Sequence, residues 1–293
     1  MNAQDIIEYK GKFYNLTPSR FPYQTDKTTD EKAFILTLFA FAKEIVARTA
    51  AGKPDYNVQR DFSGFVGKDV TLAVGLPPVH FEKQAKPFKN YFMKQAEHGV
   101  NFKYNGKQFN FYVKDVLVFP QCYAGAVIFR GDLLGQYSTC YCVDIGDGTV
   151  DMVGLVDGVP DKVTMLSREH GMSKLRSSII DDVMNDYGIT LNDKVVEDFL
   201  SGKKLGLAPD IAEQIKARID KTCADFTTEL INILKSKVQD FRVYPVIFFG
   251  GGALALKPYL EKSGAFGITD YIPEINANAV GYEQLAKFQL GVE

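Results

Sequence analysis

The chain has 293 residues, 46% of them apolar, so it is globular in composition and longer than one core usually serves; two domains are expected. The net charge of −2 excludes a global field that would draw it to nucleic acid or anionic lipid. Its four cysteines (Cys122, Cys140, Cys142, Cys223) form no CxxC pair, which excludes a zinc ribbon. They suit buried, reduced positions in a cytoplasmic protein.

In chain order, Ile6 to Leu16 reads as two short strands around Lys10-Gly11, and Pro18 to Thr29 as a loop. Thr29 or Asp30 caps a helix to about Thr49, which Gly52-Lys53-Pro54 ends. Phe34, Leu38, Phe41 and Ile45, with Ile35 and Phe39 beside them, make its apolar face broad. The apolar run from Ala33 to Ala42 is too short to span a bilayer. Asp55 to Lys68 reads as a loop and Val70 to Leu76 as a buried strand. Phe81 to Gln95 follows as a basic helix, with Pro87 as a breaking point. Phe102 to Val113 is a hairpin around Asn105-Gly106, and Asp115 to Phe119 a separate strand. Pro120 leads into a helix from Gln121 to about Phe129.

The stretch from Cys140 to Val156, CYCVDIGDGTVDMVGLV, organises the second half. An apolar strand ends at Asp144, a Gly-X-Gly turn follows, and a second strand leaves through Thr149 and Asp151. Gly146 and Gly148 leave the backbone free for a positive φ and a close approach to a ligand. Amides in such a turn suit phosphate oxygens, and Asp144 is placed to hold a water or Mg²⁺ beside them. Val159 to Ser167 is a third strand.

Gly171 opens a helix to Tyr187, with Gly188 as its stop. Shorter and longer helices follow at Asp193 to Lys204 and Pro209 to Val238. Val246 to Phe249 is an apolar strand entering Gly250-Gly251-Gly252-Ala253, after which Leu254 to Lys262 is helical. Strand, glycines and helix together bring amides and a helix N-terminus against a nucleotide. Thr269 to Ile272 is a short strand. Asn276 to Leu290 is the last helix, with Ala279, Tyr282, Leu285 and Phe288 assigned to one face. His80, His98 and His170 are scattered and form no dyad or metal triad.

The hairpin at Asp144 and the triple glycine together resemble the actin-like ATPase superfamily. TLAVGLP (Thr71 to Pro77), VLVFPQCYAG (Val116 to Gly125) and EHGMS (Glu169 to Ser173) extend the resemblance. Order and spacing are most similar to the bacterial plasmid-segregation actins of the ParM/StbA type, over about Glu8 to Phe288. The resemblance implies an α/β, actin-like (ribonuclease H-like) clamshell. Residues 1–136 with 276–293 would form domain I, and 137–275 domain II.

The resemblance also implies ATP/ADP and Mg²⁺ as cofactors. Asp144 would serve the metal and Gln121 the attacking water. Gly146, Asp147, Gly148, Thr149, Gly171, Met172, Gly250, Gly251, Gly252 and Ala253 would contact the nucleotide. It implies head-to-tail self-assembly into filaments and a DNA-bound adaptor as partner, with no direct contact to membrane or nucleic acid. The family opens with a strand and an Asp-X-Gly-X-Gly phosphate loop, whereas MNAQDIIEYKGKFYNL resembles the hairpin downstream of it. Hydrolysis is therefore expected only where that loop is supplied. Two alternatives stay open: a small-molecule kinase of the same superfamily, and a non-catalytic scaffold with weakened nucleotide binding.

Overall fold

The computed structural model describes residues 5–16, 26–50, 64–204 and 206–292. The chain forms two compact units, Met1–Val74 with Lys83–Val118, and Gly75–Glu82 with Phe119–Glu293.

The first unit is built on strands β1 (Ile6–Tyr9), β2 (Lys12–Asn15), β3 (Gly64–Leu76), β4 (Val100–Tyr104) and β5 (Lys107–Pro120), in the order β2-β1-β4-β5-β3. Helices α1 (Lys32–Ala50) and α2 (Pro78–Gln95) supply its remaining apolar faces. The helix start at Asp30 is real: its carboxylate accepts the Lys32 N–H at 2.9 Å. The core is aromatic. Phe34 packs on Phe92 at 6.0 Å and Phe41 on Phe111 at 4.5 Å, with Phe102 stacked on Phe109 at 4.9 Å.

Three expectations are corrected here. Gly64 to Lys68 is strand, not loop, because Phe65 buries against Phe41 at 5.4 Å. The segments 107–113 and 115–119 form one continuous strand, since Asp115 lies on its outer side and pairs with Lys89 at 2.5 Å without interrupting the backbone. Helix α2 starts at Pro78, where a proline N–H is not needed, and runs through Pro87. Pro87 and Lys83, whose carbonyl loses its donor, are both exposed, while Phe88 and Phe92 bury on the other side. The stop at Gly52-Lys53-Pro54 and most of the loop from Pro18 lie outside the described residues.

The second unit contains strands β6 (Thr139–Ile145), β7 (Val150–Val156), β8 (Val159–Arg168), β9 (Phe241–Phe249) and β10 (Phe266–Tyr271), ordered β10-β9-β6-β7-β8. β10, β9 and β6 are parallel, and β6, β7 and β8 antiparallel. Both faces are covered, so β6 and β9 read as continuous apolar runs rather than alternating ones.

On one face Val143, Ile145, Met152 and Phe248 pack under helices α4 (Met172–Tyr187), α6 (Pro209–Lys235) and α7 (Gly251–Lys262). The short α5 (Asp193–Leu200) lies at the edge of that layer, with Val196 buried. On the other face Cys140, Cys142, Val153 and Phe249 meet α3 (Tyr123–Gln136) and the start of α8 (Ala277–Leu290). The four cysteines are buried and free.

The last helix corrects another expectation. Ala277, Gly281, Tyr282 and Ala286 face inward, whereas Ala279 is exposed and Phe288 is 87% exposed. Apart from Tyr282, the inward stripe is made of small residues because α8 approaches α3 backbone to backbone. A Cβ on Gly281 would stand 2.5 Å from the Ala124 carbonyl.

Candidate functional site

The β6–β7 hairpin, the start of α4 and the β9–α7 junction converge on one point of the second unit. Side chains alternate along a strand, so Asp144 shares the face of Cys140 and Cys142 and points toward α8. It pairs directly with Asp151 across the ladder. Both carboxylates are buried. Burial first, and the Asp151 charge second, push the Asp144 carboxyl up to about 7, while Asn278 draws it down. Asn278 Nδ2 donates to Asp144 Oδ2 at 2.6 Å, and Thr149 Oγ1 donates to Asp151 Oδ2 at 3.0 Å.

The turn between the strands is closed by its own backbone, with the Gly146 N–H donating to the Thr149 carbonyl at 2.9 Å. Gly146 does not use a positive φ. The first amides of α4 also serve this turn. Met172 N–H donates to the Gly146 carbonyl at 3.0 Å, and Ser173 N–H to the Asp147 carbonyl at 2.8 Å. Gly171 is glycine because a Cβ there would overlap the Asp147–Gly148 backbone. Gly171 and Met172 thus seat the turn. Asp147 accepts from Arg176 Nη2 at 2.6 Å, and the guanidinium, buried beneath the turn, also lies 3.7 Å from Asp193 and 3.9 Å from Glu197. Burial lowers the Arg176 pKa from its usual value.

At the β9–α7 junction Gly250 takes φ +83° as the N-cap of α7. A Cβ there would press on Asp144 Oδ1 and stand 2.7 Å from the Ile145 carbonyl. A Cβ on Gly252 would likewise press on the Ile145 side chain and stand 2.8 Å from the Met172 side chain and 2.9 Å from the Ile145 carbonyl. Gly251 is open, and Ala253 is buried in the core. The triple glycine therefore holds the helix start tight against the end of β6.

Gln121 lies on the Asp144 side of the sheet, in the turn between β5 and α3. Its N–H donates to the Leu76 carbonyl at 2.8 Å. Tyr282 is buried nearby; burial and the Asp144 charge raise its pKa, and the Gln121 side chain opposes them.

All the expected site residues except Gln121 thus gather around the hairpin, and Asn278 links the hairpin's Asp144 to Cys122, the residue after Gln121. Sequence reading assigned no role to Asp151, Asn278 or Tyr282. Asp151 was legible as the residue opposite Asp144 in a four-residue turn; nothing local marked the other two. Lys216 and Lys221 are paired with Glu213 and Asp225 on exposed helix faces. His170 is a buried ring stacked 4.1 Å from Phe226. Among the described residues no group of three or more His, Cys, Asp or Glu forms a protein-only metal cage.

Residues 14–123 match the family of Actin like proteins N terminal domain. Residues 142–262 match the archaeal actin homologue MreB-like C-terminal family. No curated protein sequence matches the chain.

Solved structures agree on the fold. The archaeal actin homolog Ta0583 in complex with ADP superposes with a TM-score of 0.69 at 17% identity, over 97% of this chain and 89% of that one. A non-polymerisable quadruple mutant of pCBH ParM gives 0.67 at 18%, over 98% and 87%. The Alp12 filament structure gives 0.62 at 15%, over 98% and 84%. The molecule has the actin-like two-domain fold. The two matched families, over residues 14–123 and 142–262, are both of actin-like proteins, in agreement with that fold. At these identities the likeness to each single structure is one of fold.

Proposed function

We propose that this chain is a nucleotide-dependent, filament-forming actin-like protein of plasmid or DNA segregation that hydrolyses ATP as it assembles. The observation that carries this reading is the buried pair Asp144–Asp151 under a glycine-closed turn. Two facing carboxylates, one of them drawn toward protonation, suit a divalent cation held through water. The absence of a Cβ at Gly250 lets the start of α7 pack directly beside the Asp144 carboxylate. ADP in the Ta0583 structure and the filament of Alp12 support nucleotide binding and self-assembly here by kinship.

Bound Mg-ATP would supply the phosphoryl group and the positive charge that relieves the two carboxylates. Asp144 would hold the metal's water shell, with Asp151 as its cross-strand neighbour. Gln121, which cannot act as a strong base, orients the water for in-line attack. Gly146, Asp147, Gly148 and Thr149 line the phosphate side, kept in place by Gly171, Met172 and Arg176. Gly250, Gly251, Gly252 and Ala253 approach the nucleoside. In this reading 1–136 with 276–293 form domain I and 137–275 domain II. Nucleotide state biases domain closure, and closure biases head-to-tail contacts. The filament works in the cytoplasm with a DNA-bound adaptor.

Pelleting and light scattering with and without Mg-ATP test the reading. Assembly that depends on Mg-ATP and disappears in Asp144→Ala is the expected result. Assembly unchanged in that variant overturns the role of Asp144. Nucleotide binding without assembly at any concentration overturns the filament.

A further inference from the structure

We infer that Asn278 is a positioning residue that ties the Gln121 turn to Asp144. Its carboxamide is used at both ends. Oδ1 accepts the Cys122 backbone N–H at 2.9 Å, and Nδ2 donates to Asp144 Oδ2 at 2.6 Å. The Cys122 end fixes the amide's orientation, because a backbone N–H only donates and must face the oxygen.

The Cys122 end is not an ordinary helix start. Cys122 sits at φ +71°, ψ −52°, and the Tyr123 N–H returns to the Gln121 carbonyl at 2.7 Å. That is a three-residue γ-turn with a non-glycine centre, a strained form that persists only when its surroundings over-determine it. Gln121 N–H is held by Leu76, Cys122 N–H by Asn278, and Cys122 Sγ lies 3.0 Å from the Cys142 carbonyl.

α8 brings Asn278 to this place through contacts that leave little freedom. Gly281 lies against the Ala124 backbone, and the Tyr282 ring stacks on Phe119 at 6.1 Å. Any acceptor would satisfy the Cys122 N–H. What distinguishes Asn278 is that its other end is spent on the carboxylate proposed to hold the metal's water. The side chain therefore sets the distance between the group that holds that water shell and the turn that aims the nucleophile. This inference rests on the hydrolysis reading of Gln121 and Asp144.

Two variants separate the ends of the amide. Asn278→Leu removes both hydrogen bonds at similar volume. Asn278→Asp keeps an oxygen for the Cys122 N–H and removes the donor toward Asp144. In nucleotide-free protein, amide hydrogen exchange at Cys122 and Tyr123 is expected to speed up about tenfold in Asn278→Leu and to stay within about twofold in Asn278→Asp. With Mg-ATP, kcat is expected to fall about 10- to 100-fold in both, with nucleotide Kd within about threefold of wild type. On a Gln121→Ala background, Asn278→Leu should cost less kcat than it does alone, because part of its effect passes through Gln121.

Wild-type exchange and wild-type kcat in the variants overturn the inference. So does faster exchange with unchanged kcat, which makes Asn278 merely structural, or a loss that adds fully to that of Gln121→Ala. If Asn278→Leu does not fold, an unchanged kcat in Asn278→Asp is decisive against it. A wild-type protein that turns over no ATP overturns the hydrolysis reading and this inference together. Wild-type turnover with unaffected variants overturns this inference alone.

Discussion

Asp144 and Asp151 stand opposite each other across β6 and β7, so two carboxylates share one buried face of a sheet. Like charges in a directly opposed pair oppose folding, and burial amplifies the effect. Asn278 donates to Asp144 and Thr149 to Asp151 from their side chains. In the function proposed above, a bound cation would offset that cost.

That arrangement sets a pH dependence. The Asp144 carboxyl titrates near 7 in the folded chain and near 3.8 when unperturbed. Between these values the native state binds more protons than the unfolded state, so stability falls as pH rises and levels off above about 7. Thermal melts of nucleotide-free protein should lose stability from pH 5 to pH 8. Asp144→Asn should flatten that slope and exceed wild type by at least about 1 kcal/mol at pH 8. A wild-type slope in the variant would show that Asp144 is not the titrating group.

Gly250→Ala should be severe. It forces a side chain onto φ +83° and places a Cβ against Asp144 Oδ1 and the Ile145 carbonyl. A stability loss of about 2 kcal/mol or more is expected in chemical denaturation, with nucleotide affinity falling alongside it. Gly251→Ala, where nothing lies within 4 Å, should leave stability within about 0.5 kcal/mol.

Two aromatic residues on α8 should behave oppositely. Tyr282→Ala empties a buried position between Gly75 and Phe119 and should cost about 3–5 kcal/mol. Phe288→Ala removes a ring that is 87% exposed and should change stability by no more than about 0.5 kcal/mol. Equal effects would mean that α8 is rotated from the orientation described.

Arg176→Met tests the tip of the hairpin. Its carboxylate partners Asp147, Asp193 and Glu197 are 45%, 71% and 39% exposed and keep their water when the guanidinium is removed. Global stability should therefore stay within about 1 kcal/mol. The turn loses its anchor, so hydrogen exchange at Ser173, whose N–H holds the Asp147 carbonyl, should accelerate. Unchanged exchange would show that the backbone bonds alone hold the turn.

The sequence was most readable where a local chemical reason acts. Asn105-Gly106 and Lys10-Gly11 form their hairpins, and Gly188 ends α4 at φ +66°. Asp144 stands at the end of its strand, and the triple glycine starts a helix. It was least readable where two elements far apart in sequence compete for the same space. Phe65 joined a strand because three phenylalanines from elsewhere surround it. β5 stayed continuous because Lys89 meets Asp115.

By itself, then, the sequence determined most of the elements and the residue types of the candidate site: a carboxylate, glycines and a glutamine, each marked by its own neighbours along the chain. The tertiary structure decided which of those groups act on one another. The Asp144–Asp151 pairing needs the register of the hairpin, and the link from Asp144 to the Gln121 turn needs α8, which enters 134 residues later. The face of α8 could not be read from its apolar residues because the inward stripe is built on Gly281, chosen for the absence of a side chain where the helix backbone meets Ala124. Hydrophobic periodicity reports what a helix buries in a core; it is silent where close packing of two backbones sets the orientation.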